Sequence, residues 1–326
     1  MIFSDEEIID SAFEYFRDKG FPYRKLPIHM CMQELNKLSV LPDNALDTSI
    51  LAYQVADTYH PHRFQTRVQG MKSPLEAFHD DKILTRCLTR MMEFGTGIKE
   101  NLIGGVGGIA ITSGTQAASN FRPAYAVKMY RKYCKEGDTV LDTSTGFGGR
   151  LLGLMAFSYK CHYVGIDPSR RAYRGNLKMA KDLGFSENLS LYDMPVEDLE
   201  PEPFRDWCDF ALTSPPYFCK ELYEEDDEQS WVRYTTGTEW KEGFLDKMMK
   251  FQYVALKDGS ISAVNIADVK IKGVTYPLIE WCIDSAMEAG FKLKEVEHFK
   301  LQKRIGKGHE FAEDVAKEVV LIFEKS

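Results

Sequence analysis

The sequence has no uninterrupted apolar run approaching the roughly 18 residues that a membrane-spanning helix needs, so a membrane span is excluded. Its opening, Met1-Ile2-Phe3-Ser4-Asp5-Glu6-Glu7, has neither a basic stretch nor an apolar one, and no secretory leader is expected there. The expected location is the cytoplasm. No two cysteines stand in C-x-x-C spacing. The seven present are Cys31, Cys87, Cys134, Cys161, Cys208, Cys219 and Cys282, odd in number and widely scattered. That argues against a disulfide framework and a structural zinc site, and leaves them as small buried apolar residues in a reducing compartment. No repeat or low-complexity linker interrupts the first third. Positive charge is in deficit, with 41 Lys and Arg against 49 Asp and Glu and a net charge of -8, which speaks against a nucleic-acid binder acting through bulk charge.

What is present is an ordinary globular composition, 44% hydrophobic and 28% charged over 326 residues, enough for about two domains or one enlarged one. Local basic stretches survive the acidic balance. Arg63, Arg67 and Lys72, with His60 and His62, lie between Asp57 and Glu76 in a stretch without acids. Lys300, Lys303, Arg304 and Lys307 cluster near the C-terminus. Each is either a solvated face or a phosphate-contacting surface.

The first third reads as helical. Ile8, Ile9, Ala12, Phe13 and Phe16 recur at helical spacing after a Ser4/Glu7 capping box, and Gly20 ends that helix. Further helices are expected around Ile28 to Leu38 and, as one piece, over 75–92. The glycine cluster 104–108 reads as a joint rather than a place where backbone meets ligand. Beyond about residue 120, short apolar runs alternate with helical stretches. Strands are expected at Thr139 to Asp142, His162 to Asp167, Leu189 to Tyr192, Phe210 to Thr213 and Ser260 to Asn265. Helices are expected at Arg150 to Phe157, Ser169 to Leu183, Thr238 to Ala255 and Tyr276 to Ala289, and a closing strand pair near 291–301 and 318–323. Alternation of this kind builds βαβ units and a mostly parallel sheet, made mixed by the final hairpin. The expected organisation is a mainly helical region, 1–110, followed by an α/β domain, 111–326.

Three motifs carry chemistry. In the first, Val140-Leu141-Asp142 runs into Thr143-Ser144-Thr145-Gly146-Phe147-Gly148-Gly149-Arg150, a strand, a glycine-rich turn and a helix start. Its spacing is neither G-x-G-x-x-G nor the phosphate loop, which needs G-x-x-x-x-G-K-[ST]. The second is Asp167 at the next strand end, followed by Pro168 and Ser169. A carboxylate there accepts from ribose hydroxyls in doubly wound folds, or caps a helix. The third is Ser214-Pro215-Pro216-Tyr217-Phe218 after the fourth strand. Two prolines stop the strand and stiffen the turn. Ser214 Oγ and the Pro215 carbonyl offer two acceptors, and Tyr217 a flat ring: a set that can grip a planar amine.

These residues resemble class I S-adenosylmethionine-dependent methyltransferases, specifically the DNA amino-methyltransferases that modify N4 of cytosine or N6 of adenine. The resemblance implies a Rossmann-like, mixed seven-stranded sheet with a C-terminal antiparallel hairpin, and S-adenosyl-L-methionine as cofactor. It implies that Asp142, Gly146, Phe147 and Gly148 meet the methionine part of the cofactor, with Asn120, Phe121 and Pro123 from an upstream element. Asp167, with Pro168 and Ser169, would hold the ribose. Ser214, Pro215, Pro216 and Tyr217 match the family's catalytic tetrad, with serine at its head leaning towards cytosine. It extends weakly to Glu221-Leu222-Tyr223, Gln229-Ser230 and Trp240.

The mechanism it implies is direct transfer. Hydrogen bonds from the two amine protons to Ser214 and Pro215 free the nitrogen lone pair, with no covalent enzyme intermediate and no metal. A C5-cytosine enzyme would need a Pro-Cys nucleophile, and no cysteine here follows a proline. The target base would leave its duplex and stack on Tyr217; Phe218 is a second stacking candidate or a core residue. No long insertion provides a recognition domain, so DNA recognition is expected from Arg63 and Arg67 on one side of the cleft and Lys303 and Arg304 on the other. A homodimer is compatible with the sequence, as is membership of a restriction-modification pair. The alternatives are an amino-methyltransferase acting on RNA or a nucleotide, and a non-catalytic cofactor-binding subunit.

Overall fold

The computed structural model describes residues 3–95, 97–100, 109, 115–223, 228–298 and 318–326. The glycine cluster 104–108 and the basic residues Lys300, Lys303, Arg304 and Lys307 lie outside the described residues, as do residues 224–227, part of a run of five consecutive acids, 224–228, behind the proline turn.

Seven strands form the central sheet: β1 (Thr139–Asp142), β2 (His162–Ile166), β3 (Leu189–Tyr192), β4 (Cys208–Thr213), β5 (Leu256–Ile266), β6 (Phe291–His298) and β7 (Val319–Lys325). Their order across the sheet is β6-β7-β5-β4-β1-β2-β3. Strands β1 to β5 pair in parallel, while β7 runs antiparallel to both β5 and β6. This is the mixed, Rossmann-like α/β sheet with a closing antiparallel pair that the alternation of elements leads one to expect.

Strand periodicity divides the core in two. Val140, Tyr163, Phe210, Ala263 and Ile322 face one side, and their neighbours Leu141, Val164, Ala211, Val264 and Phe323 face the other. The first face is covered by α2 (Ile28–Ser39), α3 (Tyr53–Tyr59), α6 (Pro123–Tyr133), α7 (Gly149–Phe157) and α8 (Arg170–Asp182). The second is covered by α9 (Asp246–Ala255) and α10 (Leu278–Ala289). Apart from them, α1 (Asp5–Lys19), α4 (Pro74–His79) and α5 (Asp81–Glu93) close on their own cluster of Phe16, Phe78, Leu84 and Leu88. Residues 31–59 thus share a core with the sheet. None of the seven cysteines, all among the described residues, is in a disulfide. Among the described residues no helix is long and apolar enough to cross a membrane.

Several elements depart from the sequence reading. The helix expected over 75–92 is two, because Asp80 is extended (φ -84°, ψ 112°) and its carboxylate accepts the Ile83 N–H at 3.2 Å, capping a new helix. The helix ahead of Ala255 contains a π turn at Lys241–Leu245. Helices α3 and α6 are additional. Pro123 opens α6 at a position where a missing N–H costs nothing. It is buried there and does not line the cavity described below, contrary to the cofactor-contacting role expected of it.

Candidate active site

Strands β1 and β4 are neighbours, so the glycine turn after one and the proline turn after the other emerge side by side. Asp142 ends β1 with no solvent exposure. Its carboxylate accepts from Arg150 Nε at 2.6 Å, Tyr163 Oη at 2.5 Å, Thr213 Oγ1 at 3.0 Å and the Ser144 N–H at 3.1 Å. Those four donors occupy it, and it does not line the cavity. Here it ties the two strand ends together and neutralises buried Arg150, rather than facing a ligand as expected. A further buried chain, Ser262 to Gln252 to Thr143 to Thr213, continues the tie across β5.

The turn itself opens into a cavity. Gly146 adopts φ +51° and gives its N–H to Asp167 Oδ2 at 2.7 Å. Ser169 N–H takes the other oxygen at 2.9 Å. Burial raises the Asp167 carboxyl to about 6, against the lowering effect of those two N–H groups. Gly148, at φ +72°, caps α7 and sits against Asn176, Met179 and His60 instead of the cavity, correcting its expected ligand contact. His60 is held neutral by burial, its pKa depressed to about 3, and its Nε2 reaches Asn176 Oδ1 at 3.1 Å. Asn176 in turn donates to Thr145 Oγ1 and the Gly146 carbonyl, both at 3.2 Å. The turn is therefore braced from behind by α8 and by the segment after α3.

Gly149 begins α7 where Phe121 passes. A Cβ there would collide with the Phe121 carbonyl oxygen and crowd Asn120 Oδ1 at 2.9 Å. Gly149→Ala is expected to destabilise the protein by about 1–3 kcal/mol, because backbone cannot swing aside as a side-chain tip can. A denaturation midpoint unchanged from wild type would show the contact to be looser than this.

The proline turn lies across the same space. Register places Thr213 opposite Val264, so Asn265 follows beside Ser214. Asn265 Nδ2 donates to Ser214 Oγ at 3.2 Å and to Tyr217 Oη at 2.9 Å. Burial pushes the Tyr217 phenol well up, and Lys220 Nζ stands 5.2 Å from its ring centroid. Phe218, at φ +52°, packs on Trp240 and Tyr276 and faces away from the cavity, so of its two expected roles the core one holds.

One cavity of about 520 Å³ joins the two turns. Of the expected site residues it is lined by Asn120, Phe121, Gly146, Phe147, Asp167, Pro168, Ser169, Ser214, Pro215, Pro216 and Tyr217. The expected basic patch is not among them. Arg63 is 1% exposed and pairs with Asp57, its Nη1 donating to the Ala118 carbonyl at 2.7 Å. Arg67 is exposed but bound by both oxygens of Glu76 at 3.0 Å, and Lys72 pairs with Asp80 at 2.6 Å. The acids flanking the stretch fold back onto its cations.

The sequence reading missed several lining residues. Tyr53, Gln54 and His62 come from the N-terminal region, and Tyr53 Oη accepts the Asn120 N–H at 3.0 Å. Glu221 takes both the N–H and the hydroxyl of Ser119 at 3.0 Å. Glu197, whose carboxyl burial raises to about 7, lines the cavity with Val196. Asn265 and Glu318 complete it from β5 and the start of β7; burial also raises the Glu318 carboxyl. Glu221 was reached by the weak extension of the resemblance and His62 by the basic stretch, and Asn265 had a local signal as a polar residue ending an apolar strand before the antiparallel pair. Among the described residues no group of three or more His, Cys, Asp or Glu could hold a metal ion.

No family model matches the chain, and no curated protein does. Among solved structures it is similar to TrmN from Thermus thermophilus, with 16% identity and a TM-score of 0.44 over 63% of this chain and 49% of that one. The chain thus spans about half the length of that protein. It is also similar to a SAM-dependent O-methyltransferase from Thermotoga maritima, with 12% identity and a TM-score of 0.41 over 64% of this chain and 68% of that one. A TehB-like SAM-dependent methyltransferase from Corynebacterium glutamicum is similar at 10% identity and a TM-score of 0.41, over 64% of this chain and 90% of that one. Likenesses of this degree leave the ligand to be argued from the site.

Proposed function

We infer that the chain is an S-adenosylmethionine-dependent methyltransferase whose acceptor is the exocyclic amine of a DNA base, N4 of cytosine ahead of N6 of adenine. The observation that carries this reading is the meeting of the Gly146/Asp167 turn and the Ser214-Pro215-Pro216-Tyr217 turn in one cavity. The charge there suits a cationic ligand. Its lining carboxylates are Asp167, Glu197, Glu221, Glu228 and Glu318, against the guanidinium groups of Arg24, Arg122 and Arg150, the last engaged by Asp142. A polyphosphate would meet repulsion in such a space. Gln229 also lines it, and its buried Nε2 has no partner among the described residues, a donor in place for a ligand acceptor.

When bound, S-adenosylmethionine supplies an electrophilic methyl group on a sulfonium. The chain supplies the rest. Asp167 is placed to accept from a ribose hydroxyl, and the carboxylates favour positive charge. Ser214 Oγ, with Asn265 holding one of its lone pairs, keeps another for an amine hydrogen, and the Pro215 carbonyl takes a second. Phosphate contact would fall to exposed cations such as Lys82, Arg86 and Arg90, which recur every four residues along α5. A shallow salt dependence of DNA binding would count against this placement.

Two carboxyls titrating near neutrality give the site a pH signature. Asp167 and Glu197 have folded values of about 6 and about 7, above those of an unfolded chain. Their neutral forms stabilise the empty protein at low pH, and this contribution is lost as pH rises through those values. Affinity for a cationic cofactor should run oppositely, rising as both ionise. Calorimetric titration with S-adenosylmethionine at several pH values spanning about 5.5 to 8 is expected to show this rise. A flat profile would remove the two carboxylates from the binding site.

Labelled cofactor offered with duplex DNA, RNA and free nucleotides, followed by nucleoside analysis, tests the function itself. Label on DNA N4-methylcytosine is expected. Label on RNA or a nucleotide would select the second reading, which the acidic overall balance and the lack of a long recognition insertion favour. Cofactor binding without transfer would mark a non-catalytic subunit, although the glycine turn and tetrad are both complete.

A further inference from the structure

Asn265 stands at the centre of the acceptor half of the cavity, and the reading above gave it no part in choosing the acceptor. Its position follows from register: β5 pairs with β4 on one side and β7 on the other, with Val320 opposite Asn265. The side chain is 3% exposed and lines the cavity. Its Nδ2 is committed, lying 3.2 Å from Ser214 Oγ and 2.9 Å from Tyr217 Oη, and the amide also hydrogen-bonds the Glu318 carboxyl. Its Oδ1 is buried and has no partner among the described residues. A buried carbonyl oxygen left without a donor is costly in a protein interior, and a site that a ligand completes is where such a group is retained.

The surroundings define the missing donor. Ser214 Oγ and the Pro215 carbonyl are acceptors, and the amide of Asn265 also faces the Glu318 carboxyl. Of the groups free to engage an incoming nitrogen, Asn265 Oδ1 and the Pro215 carbonyl can only accept a hydrogen, while the Ser214 hydroxyl can accept or donate one. An oxygen acceptor such as a keto group would set lone pair against lone pair, and a fully alkylated nitrogen would have no hydrogen to give.

We propose that Asn265 is the specificity-determining residue of the acceptor subsite: it positions Ser214 and Tyr217 through its amide nitrogen and takes one hydrogen of an –NH2 group on Oδ1. This deepens the function proposed above and rests on it for the identity of the reaction. Asn265 Oδ1 here takes the second hydrogen in place of the Pro215 carbonyl, so that with one hydrogen on Ser214 and one on Asn265 the nitrogen is held by both. The subsite then selects primary amines conjugated to a ring or carbonyl, and a singly methylated product no longer satisfies both acceptors and leaves.

The test measures binding rather than turnover. The full chain, with and without S-adenosylhomocysteine, is titrated with cytosine and adenine, each beside its N,N-dimethyl and keto counterparts, by calorimetry. Wild type is expected to prefer at least one amine over both counterparts by at least about tenfold, the discrimination that one unmade buried hydrogen bond imposes. Asn265→Leu and Asn265→Ala should lose that preference while keeping S-adenosylhomocysteine affinity within about twofold. Asn265→Asp, which still presents an acceptor oxygen, should retain it. Thermal melting of each variant separates loss of fold from loss of recognition, and two apolar variants guard against one failing to fold. A keto preference, no amine preference in wild type, or undiminished discrimination in a folded apolar variant would overturn the assignment. A chain that transfers no methyl group to any nucleic acid would end the reading above and still answer the question about Asn265.

Discussion

The Asp142→Ala protein is expected to lose about 3–5 kcal/mol of stability, the cost of stranding a buried charge by removing its partner. Arg150 is the charge in question: its side chain is 5% exposed and its Nε lies 2.6 Å from Asp142. Tyr163 and Thr213 would lose their shared acceptor with it. The glycine turn depends on the same carboxylate through the Ser144 N–H, so cofactor affinity should fall alongside stability. Chemical denaturation and cofactor titration on the one variant check both. The control is the double variant Asp142→Ala/Arg150→Met. It removes the stranded charge and should recover a large part of the loss, since apolar replacement of a buried pair is often near neutral. A single variant costing less than about 1 kcal/mol would mean that water reaches Arg150 and that the pair does not hold α7 to the end of β1.

The fate of the basic residues shows where sequence reading stops. The stretch after Asp57 contains no acid before Glu76, and along the chain it looks like an uncompensated positive surface. In the fold, the two bounding acids and Asp80 close over Arg63, Arg67 and Lys72. Charge patterning along a sequence counts neighbours in one dimension, whereas ion pairs form in three. Glycine and proline behave differently because their constraints are local. The φ of Gly146, the strand stop at Pro215 and the strands' two-residue alternation can all be read without tertiary contacts, and these elements stand where expected. Asp142 is an intermediate case. Its place at a strand end is local information, but its burial beneath Arg150 depends on α7 and β2 packing over it. Of the N-terminal lining, Tyr53 had no local sign at all and His62 stood out only as part of the basic stretch, since only packing against the sheet brings those residues over the glycine turn.

Ser214→Ala is expected to lower kcat for methyl transfer by about 10²–10³-fold while leaving cofactor affinity within about twofold, the effect of removing one preorganised hydrogen-bonding group from a reacting centre. The split between kcat and cofactor binding follows from geometry. Ser214 lies on the β4 side of the cavity, whereas Gly146 and Asp167 lie at the ends of β1 and β2. Its side chain bonds to Asn265 and Tyr217, both within the acceptor half of the cavity, so the substitution removes little that the fold needs. A second measurement separates a role in positioning the acceptor from a general disturbance of the turn. If Ser214 and Asn265 act as one unit on the same –NH2 group, the double variant Ser214→Ala/Asn265→Ala should cost far less than the product of the two single effects, because the first loss already releases the nitrogen. Full multiplicativity would mean that the two side chains meet different groups. An unaltered kcat in Ser214→Ala would take the hydroxyl out of the reaction altogether and leave the Pro215 carbonyl and Asn265 as the holders of the acceptor amine.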